Sequence, residues 1–214
     1  MRVIAASACL ALLSLFARPA AAASIFIDFE DPALVAAGDF GLGVPLSGFT
    51  DSATGLLLTF ANAAVFQSDI SLVAEEFPPN SGFNVLGDEG GSLTISLPTL
   101  AVGVSGFFTY TTQLTLTVFR SGVEVGSAQS SGFENFISAG GDGNEEIAFS
   151  GTEFDQVQIV GDPTALSFFV DDLTIDLQDS QAPAPVPEPG TLVLLGLGAV
   201  FLARRRLRDP RREC

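Results

Sequence analysis

The chain has 214 residues with 25 Asp and Glu against 9 basic residues, all of them Arg, and it has no His and no Trp. Without His or Lys there is no Schiff-base lysine, no Ser-His pair and no His-ligated zinc chemistry. A formal charge of -16 repels phosphate backbones, so nucleic acid is not an expected partner.

The chain opens with Arg2, an apolar run from Val3 to Phe16, and Ala20-Ala21-Ala22-Ala23. A positive start, a short apolar core and small residues at its end are the three parts of a secretory signal, here residues 1–23 with cleavage after Ala23. Cys9 falls inside this leader and Cys214 is the last residue, so disulfides contribute nothing to the segment between them.

Residues 24–178 carry 21 Asp and Glu against the single Arg120, a charge of -20. Period-2 runs of β-branched and aromatic residues recur here, at 24–29, 56–60, 92–97, 102–110, 113–119, 123–128, 154–160 and 166–177. Turn residues separate them, as in Arg120-Ser121-Gly122 and Gly140-Gly141-Asp142-Gly143-Asn144. In 113–118, Leu114, Leu116 and Val118 share one face and Gln113, Thr115 and Thr117 the other, the pattern of a strand buried on one side. The expected fold is all-β, a two-sheet sandwich of jelly-roll or galactose-binding-like type, with the chain's 19 Phe supplying much of the core.

Acidic residues cluster at the first and last strands, in Asp28-Phe29-Glu30-Asp31 and in Asp171-Asp172. Phe169, Asp171, Leu173, Ile175 and Leu177 share a parity, so Asp171 falls on the apolar face, where a carboxylate needs a metal or hydrogen-bond donors. The opening FE-type strand and the closing DD-hydrophobic strand resemble those of calcium-stabilised jelly-roll carbohydrate-binding modules. That resemblance implies a calcium ion held by oxygens of Asp28 or Glu30 with Asp171 or Asp172. Asp142-Gly143-Asn144-Glu145-Glu146 is a second oxygen-rich patch, read as a hairpin loop. No serine has a His or Lys to activate it, so the domain is expected not to be an enzyme. Sugar binding normally uses Trp or Tyr rings, and here only Tyr110 remains.

Residues 179–190 form a Pro-rich linker in which 181–189 has Pro at every second position. Thirteen apolar residues, 191–203, come next and end at Arg204, Arg205 and Arg206. They are read as a short transmembrane helix, with 204–214 as a cytoplasmic Arg-rich tail. Val186-Pro187-Glu188-Pro189, a Gly-containing apolar stretch and a terminal Arg cluster resemble, in that order, the PEP-CTERM sorting signal of Gram-negative bacteria. The resemblance implies recognition by an exosortase-type processing protease in the inner membrane. It further implies processing near Pro187, Glu188 and Pro189 with loss of the helix and the Arg tail, then residence in the cell envelope or outside the cell. The function read from these features is an exported structural or adhesive protein of the cell envelope or extracellular matrix. The alternative is a calcium-stabilised, lectin-like module for exopolysaccharide.

Overall fold

The computed structural model describes residues 23–31, 43–70, 72–73, 75–163 and 166–178. They form eleven strands: β1 (Ser24–Ile27), β2 (Val44–Pro45), β3 (Gly48–Thr50), β4 (Leu57–Ala61), β5 (Ala63–Gln67), β6 (Asn84–Asp88), β7 (Leu93–Tyr110), β8 (Thr115–Arg120), β9 (Val123–Gln129), β10 (Glu145–Val160) and β11 (Phe168–Leu177). Among the described residues the one helical element is a 3-10 turn at Ile137–Ala139. No described helix is long and apolar enough to cross a membrane, and the expected helix at 191–203 lies outside the described residues.

The all-β expectation holds, but the strands join in one hydrogen-bonded antiparallel sheet instead of two separate ones. Its main path runs β2-β5-β6-β11-β7-β10-β8-β9, with β1 on β11, β4 on β7 and β3 on β4. The physical reason lies in β7 and β10, which span 18 and 16 residues and change partners along their length. The first part of β7 pairs with β4, its second part pairs with β11, and β10 pairs with both parts. Register shifts in β10 at 150–156 bend the ladder between the two parts, as bulges do where strands pass from one layer to another. Pro98 sits in the stretch of β7 between its paired segments, where no ladder bond is asked of it.

One core gathers side chains from strands far apart in the sheet, among them Ile25, Leu58, Leu86, Leu116, Phe154 and Ile175. Around β8, Leu114, Leu116 and Val118 are all buried, as their parity requires. A smaller cluster of Ala64, Phe66, Leu72, Val85 and Phe169 lies apart from it. β8 and β9 are joined by a two-residue turn, Ser121-Gly122, with both residues at positive φ (52° and 78°), the hairpin geometry that matches strand twist. The segment 130–144 leads from β9 to β10 and is no simple hairpin, because β10 pairs with β7 and β8. The Asn135 side chain organises it: its Oδ1 accepts from Tyr110 N at 2.7 Å and its Nδ2 donates to Phe108 O at 2.8 Å, so it continues the ladder on the last residues of β7, where β10 has not yet begun or only begins to pair.

Phe154 is fully buried at the bend of β10. Phe154→Ala is expected to destabilise the domain by about 3–5 kcal/mol in urea unfolding. Val160→Ala, at a site 39% exposed, should cost under about 1 kcal/mol.

Candidate functional site: the junction of the first, sixth and eleventh strands

One edge of β11 serves two partners in turn. Phe169 and Val170 pair with Gly87 and Leu86 of β6, and Leu173 to Asp176 pair with Ile27 to Ser24 of β1. Asp171 and Asp172 stand at the changeover. On the opposite edge the register with β7 shifts between Asp171 and Thr174, and Asp172 takes a positive φ of 50°. This bulge points two successive carboxylates at the segment 80–83 that leads into β6.

Asp171 is buried, 1% exposed, as its parity predicts, and it is provided with donors. Its Oδ2 accepts from Ser81 N at 2.8 Å and its Oδ1 from Asp172 N at 2.8 Å. Asp172 takes Asn80 Nδ2 on Oδ2 and Ser81 Oγ on Oδ1, each at 2.7 Å. From the end of β1, Glu30 reaches the other side of the same segment. Its Oε1 accepts from Phe83 N at 2.6 Å and Asn84 N at 2.7 Å, and its Oε2 from Asn84 Nδ2 at 2.7 Å. Asp28 accepts from Glu30 N at 3.1 Å and so shapes the approach of Glu30. All four acids singled out in the sequence therefore meet at one junction, three of them gripping the segment 80–84.

Burial pushes the Asp171 carboxyl up to about 6, opposed by the Ser81 and Asp172 amides and reinforced by the negative charge of Asp172. Among the described residues no three acidic or Cys side chains form a ready-made metal cluster. Asn84 Oδ1, however, is buried without a hydrogen-bond partner while its amide nitrogen holds Glu30. An open groove of about 450 Å³ borders the junction, lined by Phe26, Asp28, Glu30, Phe49 and Asp51 among others. Phe26 is 55% exposed. Tyr110 presents no ring to a ligand, for it is buried and its hydroxyl donates to Glu145.

Asn80, Ser81, Gly82 and Asn84 were not singled out in the sequence. Pro78-Pro79-Asn80-Ser81-Gly82 is a strong turn signal, but nothing in its residues names the acids it meets. Gly82 is obligatory on two counts: its φ is 55°, and a Cβ there would stand 2.3 Å from Glu30 Oε1.

Residues 185–208 match the PEP-CTERM protein-sorting motif, and the chain carries that motif. It takes in Pro187, Glu188, Pro189, Arg204, Arg205 and Arg206, all of which lie outside the described residues. The motif marks an exported chain that is sorted and processed by exosortase. No curated protein matches the chain. Among solved structures it is similar to the K2 cleaved adhesin domain of Lys-gingipain, with 11% identity and a TM-score of 0.46 over 72% of this chain and 100% of that one. It is also similar to TmCBM61 in complex with beta-1,4-galactotriose, with 13% identity and a TM-score of 0.33 over 56% of this chain and 88% of that one. A third likeness is to the catalytic unit of a GH87 alpha-1,3-glucanase from Streptomyces thermodiastaticus, with 14% identity and a TM-score of 0.34 over 68% of this chain and 29% of that one. At these TM-scores none of the three carries over an activity or a ligand.

Gly82→Ala is expected to lower stability by about 1–3 kcal/mol, from left-handed strain and from displacement of Glu30, measured by chemical unfolding. Gly55→Ala serves as the control: its φ is 72° with nothing within 4 Å, so it carries the strain without the steric clash and should cost less.

Proposed function

We propose that this chain is an exported, non-catalytic structural or adhesive component of the cell envelope or extracellular matrix. The observation that carries the reading is the union in one chain of the sorting motif at 185–208 with a domain whose site acids serve to hold its own backbone. Asp171 and Glu30 are both occupied by amide donors, which uses their oxygens to hold the segment 80–84. A charge of -20 over residues 24–178 suits a soluble matrix protein that divalent cations can bridge. Fractionation of the native cells should find the protein in the envelope or matrix fraction. The purified protein should release no products from the cells' own exopolysaccharide. Product release that disappears in Glu30→Gln or Asp171→Asn would overturn the non-catalytic reading.

A second reading is favoured by the junction itself: a calcium-stabilised carbohydrate-binding module for exopolysaccharide. Asp28 or Glu30 with Asp171 or Asp172 would supply the carboxylate oxygens, and the unpartnered Asn84 Oδ1 is a neutral oxygen of the kind calcium also takes. Phe26 on the adjoining groove would give the sugar an apolar platform. On this reading calcium raises the melting temperature at neutral pH, and less so in acid, where protons compete for Asp171. Phe26→Ala would also lose retention on an exopolysaccharide gel. A melting temperature indifferent to calcium at every pH would remove the metal from the account.

A further inference from the structure

Asp88 ends β6 as a carboxylate with no exposure to solvent. Its Oδ1 accepts from Ser167 N at 2.8 Å and Phe168 N at 3.3 Å, with Ser167 Oγ at 3.5 Å. Its backbone carbonyl accepts from Leu166 N at 3.2 Å. One residue of β6 thus gathers the head of β11. Asp88 Oδ2, by contrast, is buried with no hydrogen-bond partner.

The groups that face this carboxyl carry no charge to offset an ionised form. β5 places Ala63 in register with it, and β11 and the residue before it contribute Phe168 and Ser167. The nearest acids along the chain and on the connection before β11, Glu89 and Asp162, are exposed. Arg120, the one basic residue in 24–178, is engaged by Glu153 at 2.5 Å. An ionised Asp88 would leave half of its charge without water, donor or cation, which is among the costliest arrangements a protein interior can hold.

We propose that Asp88 keeps its proton in the folded domain, so that folding takes up a proton there and the hold of β6 on β11 tightens as pH falls. Burial pushes the Asp88 carboxyl above its ordinary 3.8 by more than the Phe168, Ser167 and Asp88 amides and the Ser167 hydroxyl draw it down. A folded value raised above the unfolded one gives stability that is fully present below 3.8 and is lost as pH rises through the folded value.

The test is thermal unfolding of the mature protein purified from its own cells, wild type against D88N, from about pH 4 to about pH 8. Asn keeps the acceptor for Ser167 and Phe168 but cannot ionise. The two proteins should melt together at the acid end, and D88N should melt progressively higher toward the alkaline end. Asp171 titrates in both proteins and cancels from the difference. A gap that is the same at every pH, or one that favours the wild type as pH rises, overturns the proposal. If D88N does not fold, a carbon-13 titration of aspartate-labelled wild type, with Asp88 assigned through the Ser167 amide, decides the matter. A midpoint above 3.8 supports the proposal and one at or below it refutes it.

Discussion

The domain depends on the pairing of its first strand with its last. Ser24 to Ile27 lie antiparallel to Asp176 to Leu173, and Leu177 N donates to Ala23 O at 2.8 Å, so the ladder closes across some of the longest sequence separations in the chain. A closure of that length is favoured only once the intervening strands are in place. It has two products. It brings Asp28 and Glu30 beside Asp171 and Asp172, and it makes the entry and exit of the domain neighbours, with the sorting motif beginning soon after the exit strand ends.

A chain with so few cations must settle its carboxylates in another way. Among the described residues the one salt bridge joins Arg120 to Glu153. Elsewhere the acids are matched with backbone N–H groups. Glu30 takes Phe83 and Asn84, Asp171 takes Ser81, Asp88 takes Ser167, Glu145 takes Ser131, Glu76 takes Ser138, and Asp155 takes Ser121. Most of them pin a turn or a loop to the sheet, and Glu76 joins two connections to each other, so the acidity of the sequence is in part the means by which its connections are held. Charged acceptors on amide donors are stronger than neutral pairs, and they need no basic partner. Asp88 is the exception in kind, because it is sealed from water with one oxygen unmatched.

Runs of β-branched and aromatic residues between turn signals made β1, β4, β8, β9 and β11 legible in the sequence, with a clear apolar-polar alternation in β8. β5 and β6 were not legible, because they are buried on both faces: Ala63 to Phe66 and Asn84 to Asp88 are all inaccessible, so no period-2 signal remains. The continuity of β7 was hidden by Pro98, and the first part of β10 by Gly151 and the acidic pair Glu145-Glu146 that opens it. Both interruptions fall at places where the long strands change partners and so need no regular ladder. The four acids of the site were legible, Asp171 from parity and the others from position at the ends of the domain. Their common target at 80–84 was not, because contact between residues some 50 and 90 positions apart leaves no local trace.

An exported β domain, with its first and last strands paired, is thus joined in one chain to a sorting motif that implies processing by exosortase. Mass spectrometry of the intact protein from its own cells tests this coupling most directly. The expected result is a mature species that has lost the leader ahead of the first strand and ends near Pro187 or Glu188. A species that retains Arg204, Arg205 and Arg206 would contradict it.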